Sequence, residues 1–133
     1  ATDNVESLAD VIETDIAALA RKAADVTSRS GDETREMLVS LHKTVTRAVE
    51  LAVQAVRDND QKAASSVLMM KDTIRDQSEH LLTRKAMRLD TEDPDYLDLV
   101  RLEMAFVDQM RRIYTLAKRI AKVALPLALA ERD

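Results

Sequence analysis

RLEMAFVDQMRRIYTLAKRIAKVALPLA, the stretch from Arg101 to Ala128, decides the fold because it reads two ways around one helix. Leu99, Phe106, Met110, Ile113, Ala117, Ile120 and Ala124 recur at three- and four-residue steps, which lines them up as one apolar stripe. Arg111, Lys118 and Lys122 make a second stripe along the side, and Arg101, Arg112 and Arg119 cover the back. The first stripe predicts a core. The second predicts a basic surface, with Arg111, Arg112, Lys118, Arg119 and Lys122 as candidate contacts for an anionic partner. No acid stands between Gln109 and Ala130 to neutralise them. The helix dipole favours cations only in the last turn, so it covers Lys122 and at most Arg119, not Arg111 or Arg112.

Working outward, composition leaves few alternatives to long helices. The chain has 133 residues, the size of one domain, and folding should bury roughly two thirds of its unfolded surface. With one Gly, two Pro, three aromatics and no Trp, turns are scarce and strands lack their usual residues. The core must be aliphatic, and it offers no aromatic platform for bases or sugars. The absence of cysteine excludes disulfides, thiolate nucleophiles and Cys-ligated zinc, and is compatible with a reducing cytoplasm. A net charge of −4 argues against nucleic acid as the main partner. The longest apolar run, Val123 to Ala130, contains Pro126 and falls far short of the ~20 residues that cross a bilayer. The start at Ala1 shows no signal-peptide pattern; removal of an initiator Met, a tag remnant or excision from a longer chain would each produce it.

Four helical segments are expected. The first spans about Asn4 to Thr27, with Val5, Leu8, Ile12, Ile16, Leu19, Ala23 and Val26 on one face. Ser30 to Glu33 reads as a capping box opening a second helix to Arg57, with Leu38, Leu41, Val45, Ala48, Ala52 and Val56 inward. Asp58-Asn59-Asp60 is a tight polar break. A third helix follows to about Leu89, carrying Ala63, Val67, Met70, Ile74 and Leu81 inward. Asp93-Pro94 caps and opens the fourth, which should fray or kink near Pro126. Helices of about 25 to 30 residues, each ~40 Å long, joined by short connections, predict a single all-α domain: an up-and-down antiparallel bundle of four long helices.

The search for chemistry returns mainly exclusions. Neither His42 nor His80 has an acid three residues before it, so the Glu-x-x-His pairs of a di-iron bundle are missing. One glycine makes no phosphate-cradling loop, and no Ser-His-Asp set suggests itself. Both histidines read as boundary side chains, and no catalytic residue is assigned. Glu6 with Asp10, extended by Asp3 and Glu13, and Asp72 with Asp76 stand at four-residue spacing, where a cation could bridge them. A solvated acidic face is the preferred reading, because metal sites draw acids from several helices. Glu103 falls near the core side of its helix, which predicts an ion pair with a cation on a neighbouring helix in preference to a functional acid. Met37, Met69, Met70, Met104 and Met110 read as gap-filling core residues.

From about Asp60 to Ala124, DNDQKAASSVLMMKDTIRDQSEHLLTR followed by RLEMAFVDQMRRI and AKRIAKVALPL resembles a PhoU-type domain, most closely the C-terminal cytosolic domain of bacterial sodium/phosphate cotransporters. PhoU proteins are tandem three-helix bundles that regulate phosphate uptake and hold metal clusters on ExxxD-type motifs. The resemblance implies that the last three helices form one such bundle and that the first is added. Where the family pattern is Leu-Glu-Arg-Ile-Gly-Asp, this chain has Met110-Arg111-Arg112-Ile113-Tyr114-Thr115, so the ligand positions become Arg111 and Thr115. In the preceding helix the usual acid falls on Lys71, with Asp72 one residue away. The fold and phosphate-transport context carry over, therefore, and the metal site does not; no cofactor is expected.

The resemblance implies a non-enzymatic regulatory or accessory cytosolic domain of a sodium-dependent phosphate transporter, on the cytoplasmic side of the inner membrane and within a longer transporter chain. The expected partners are the transporter's membrane domain, a second copy in a homodimer that would recreate the paired bundles of PhoU, and anionic lipid, with no nucleic acid. The alternatives are a free-standing PhoU-like regulator of phosphate uptake and, from another class, a helical scaffold or dimerisation bundle unrelated to phosphate.

Overall fold

A computed structural model of the chain describes residues 2–86 and 93–125, and among these it is all helix. The elements are α1 (Thr2–Arg29), α2 (Asp32–Arg57), α3 (Gln61–Met69), α4 (Lys71–Ala86) and α5 (Pro94–Val123). The helices pack into a bundle in which α2 and α5 make the most extensive contact and α1, α3 and α4 each touch both. The apolar stripes meet in one core: Leu38, Leu41, Val45, Ala48 and Ala52 of α2 and Phe106, Met110, Ile113, Ala117 and Ile120 of α5 are all buried. Alanines at Ala48, Ala52, Ala55, Ala63, Ala64, Ala117 and Ala121 are buried too, and their small side chains let the helix backbones approach closely. Pro126 and the far end of the third predicted helix, toward Leu89, lie outside the described residues, as do the side chains of Val5, Leu8, Ile12, Ile16 and Leu19.

The junction after α1 differs from the expected capping box. Gly31, not Ser30, is the N-cap of α2, and it supplies no side-chain hydrogen bond. Ser30 is buried and turned inward, with its hydroxyl within hydrogen-bond reach of two acceptors, the Val26 carbonyl at 2.9 Å and Glu103 Oε2 at 2.6 Å, between which it has one proton to give. Glu33, instead of reaching back to its own helix start, forms a two-pronged pair with Arg84 of α4 at 2.7 and 2.9 Å. Arg35 covers the end of α1, donating to the carbonyls of Thr27 and Ser30, where cations and donors are favoured. The polar break after α2 is as expected. Asn59 adopts φ 50°, a left-handed conformation that asparagine tolerates. Asp60 caps α3 by accepting from the Ala63 amide at 3.1 Å. That bond, with the Gln54 side-chain amide at 2.9 Å, holds the Asp60 carboxyl below its usual range.

The third predicted helix is two helices, α3 and α4, broken at Met70. Neither glycine nor proline stands there. The cause comes from across the bundle: the hydroxyl of Tyr114 on α5, buried, donates to the Val67 carbonyl at 2.7 Å, and that carbonyl also receives the Met70 amide at 3.2 Å. A carbonyl engaged by a side chain and a tighter amide leaves the α-helical ladder, which resumes with Ile74 donating to Met70. Met69 is 79 % exposed, so this methionine does not fill the core as expected, whereas Met110 does; helical register sets it about 160° from Val67, away from the buried stripe. Replacing Tyr114 with Phe should keep the ring packing, remove the hydroxyl and cost about 1 kcal/mol in urea unfolding. Tyr114→Ala should cost about 3–5 kcal/mol, as deletion of a buried aromatic does. A Phe variant as stable as the parent would show that the Val67 contact does not hold the break.

Candidate functional site: the basic face of helix α5

Asp93 and Pro94 start α5 as the sequence predicts: the Asp93 side chain accepts from the Asp95 amide at 3.0 Å, and proline occupies the first turn. From there the helical register fixes what each cation sees. Arg101, Arg111, Arg112 and Arg119 are exposed, while Lys118 and Lys122 are half-buried on the flank nearer Tyr114. The Lys118 ammonium stands 5.7 Å from the centre of the Tyr114 ring, a cation–π distance. All five predicted contact residues therefore share one helix, but they divide into an outward set, Arg111, Arg112 and Arg119, and a flank of two lysines.

The strip is less bare of acids than the run from Gln109 to Ala130 suggests. Asp108, one residue before that run, reaches Arg112 at 3.0 Å across one turn, and Asp98 lies 3.8 Å from Arg101. Both pairs are exposed, and such pairs contribute little and exchange readily for other partners. Three outward guanidinium groups on one face are suited to carboxylates or phosphates, which they can grip with two parallel hydrogen bonds.

The positions that would be metal ligands in the resemblance have other occupations. Arg111 faces solvent, Thr115 donates its hydroxyl to the Arg111 carbonyl at 3.0 Å, and Lys71 is exposed at the start of α4. Asp72 and Asp76 flank Arg75 at 3.1 and 3.2 Å, so their spacing serves a cationic side chain. Among the described residues no three histidine or carboxylate side chains converge. Asp10 is exposed, and the side chains of Glu6 and Glu13 are outside the described set, as is that of Asp3.

Two polar groups lie in the core. Glu103 is only 2 % exposed, and the Ser30 hydroxyl at the α1–α2 junction is one of its partners. Ser30 is not legible as a core residue from local sequence, since a serine before Gly-Asp-Glu looks like a cap. His42, half-buried on α2, stacks on Phe106 of α5 with ring centres 6.4 Å apart and planes 24° from parallel. Desolvation lowers its pKa below the ordinary 6.5. His80 is exposed, beside Glu36, Met37, Ser40 and Gln77 in a shallow α2–α4 groove. No helix among the described residues is long and apolar enough to cross a membrane. Compared with family models, curated proteins and solved structures, the chain matches none.

Two outcomes follow from the buried groups. Ser30→Ala removes a donor from a buried carboxylate and should cost about 1–3 kcal/mol in chemical denaturation; no change would mean the hydroxyl contributes nothing to seating α1. For His42, the folded chain resists protonation more than the unfolded chain does, so the unfolded state binds more protons as pH falls below 6.5. The stability associated with neutral His42 is present above that pH and lost below it, toward the lower folded pKa. Urea midpoints measured on both sides of this pH should diverge more in the parent than in His42→Phe; equal divergence would remove His42 from the acid response.

Proposed function

We propose that this chain is a non-enzymatic helical accessory domain of a phosphate-transport system, in which a PhoU-like unit of α2, α3–α4 and α5, arranged up and down in antiparallel order, is extended by α1 and offers the basic face of α5 to an anionic partner. The observation that carries the reading is the division of contacts. α2, α3, α4 and α5 touch one another in a closed set, whereas α1 lies on α2 and α5 alone among the described residues. That division matches the one implied by the sequence resemblance, a three-helix unit with an added leading helix. The bonds Arg84–Glu33, Gln77–Ser40 and Gln54–Asp60 pair descending positions after the Asp58–Asp60 break with ascending positions before it, which favours the up-and-down order.

In this reading the partner is a sodium-dependent phosphate transporter, met through acidic cytosolic segments or anionic headgroups near its membrane domain. The mechanism is electrostatic docking. Arg111, Arg112 and Arg119 attract the partner over a Debye length of about 8 Å at physiological ionic strength and exchange weak intrahelical pairs for stronger two-pronged ones. The domain would then modulate transport by its position and would itself make or break no bond.

The test is the triple replacement Arg111→Glu, Arg112→Glu and Arg119→Glu in the transporter-bearing cell. Helicity should be retained, because these side chains lie off the apolar stripe, while phosphate uptake or its regulation should shift several-fold. Retained helicity with unaltered uptake and regulation would refute the reading.

A further inference from the structure

α3 is interrupted at both ends and meets the core with small side chains. It is nine residues long, Gln61–Met69, too short to stand by helix propensity alone. Before it, Asn59 takes the chain through a left-handed conformation, and after it the ladder breaks at Met70. Neither neighbouring helix therefore propagates into it. Its buried residues are Ala63, Ala64 and Val67. The helices around it bury larger groups, Leu38 and Leu41 on α2 and Phe106, Met110 and Ile113 on α5, while α4 buries Ile74 and Leu81 and is tied to α2 by Arg84–Glu33 and Gln77–Ser40. Apolar stabilisation scales with the area removed from water, so α3 loses less on leaving the bundle than α2, α4 or α5 would. Two polar contacts hold its ends. Asp60 caps its first turn by accepting from the Ala63 amide, and the Tyr114 hydroxyl reaches from α5 to the Val67 carbonyl near its last residue. The other end of the Tyr114 side chain meets the basic face: the Lys118 ammonium lies 5.7 Å from the ring centre, one turn from exposed Thr115 and two turns from exposed Arg111. A cation over the face of a phenol draws charge from the ring and makes its hydroxyl a stronger donor.

We propose that α3 is a strap that opens by itself while α2, α4 and α5 stay packed, with the Tyr114 hydroxyl as its latch and the Lys118 ammonium setting the strength of that latch. Opening breaks the Tyr114–Val67 hydrogen bond, returns the Val67 carbonyl to water and uncovers the parts of α2 and α5 on which α3 lies. Local opening of a short, lightly packed segment below the threshold of global unfolding is ordinary behaviour for a native protein. What is particular here is the route of control. Tyr114 joins the flank of the basic face to the end of α3 through one side chain, so taking the Lys118 charge away from the ring loosens a helix that Lys118 does not have to touch. The inference rests on the Tyr114 contacts and not on a role in phosphate transport.

Native-state amide hydrogen exchange of the 133-residue chain, followed against urea, tests it. The amides of residues 64–69 should exchange about tenfold or more faster than the core amides of α2 and α5, and with a shallower urea dependence, because a local opening exposes little surface. Tyr114→Phe should speed exchange in α3 about fivefold, the loss of one hydrogen bond. Lys118→Gln should speed it about two- to fivefold in the parent and not at all in Tyr114→Phe, where no hydroxyl is left to strengthen. Circular dichroism accompanies each variant. If Tyr114→Phe lowers helicity, Lys118→Arg takes its place in the comparison: it keeps a cation over the ring and should leave α3 exchange as it is in the parent, while Lys118→Gln speeds it. Amides of α3 that share the rates and the urea slope of α2 and α5 would show that α3 opens only with the whole bundle, and overturn the proposal. A helical Tyr114→Phe without effect on α3 overturns the latch. A Lys118→Gln effect that is absent, that persists undiminished without the Tyr114 hydroxyl, or that Lys118→Arg reproduces overturns the control by Lys118.

Discussion

The packing of α2 against α5 is the constraint on which the other elements depend. Every other described helix touches both of these and is positioned by the pair. The contact is aliphatic, made by side chains such as Leu38, Leu41, Val45, Met110 and Ile120 that are excluded from water almost completely. Apolar burial of this kind has no preferred direction. What gives it a definite geometry is the distribution of small residues, above all Ala48, Ala52, Ala117 and Ala121, which fixes where two backbones can come close.

A few directional contacts then convert this pair into a specific bundle. Tyr114 reaches from α5 to the Val67 carbonyl and sets the place where α3 ends. The Ser30–Glu103 hydrogen bond ties the α1–α2 junction to α5, and the Arg84–Glu33 pair ties the far part of α4 to the start of α2. Each spans a long stretch of sequence and joins different helices. They contribute little to gross stability beside the apolar core, but each penalises sliding or rotating one helix past its neighbour, and in the first two a buried acceptor would lose its donor.

In the proposed reading, function lies in charge placement. Acids collect toward the start of α1 and cations toward the end of α5, while the intervening helices carry mixed, locally paired charges such as Arg75 between Asp72 and Asp76. A surface divided in this way can orient a partner over several ångströms before contact and can exclude partners of uniform sign. The proposal for a phosphate-transport role draws on this asymmetry through the outward guanidinium groups of α5.

The apolar stripes of the second and fourth predicted helices were legible in the sequence alone, because a period near 3.6 residues is imposed by the helix itself and needs no knowledge of neighbours. The Asp58-Asn59-Asp60 break and the Asp93-Pro94 start were legible for the same reason: caps and fixed dihedrals act within a few residues. So was the list of cations on the last helix, though not their inequality, since Asp108 lay just outside the acid-free run and the burial of Lys118 depends on Tyr114. Tertiary structure alone decided the rest. The break at Met70 is dictated by a hydroxyl 47 residues away in sequence. Ser30 gave up an expected cap for a buried carboxylate 73 residues distant, because satisfying a buried acceptor outweighs satisfying an exposed helix end that water can serve. Local chemistry writes the helices; which polar atom must be satisfied first is known only once the helices have been brought together.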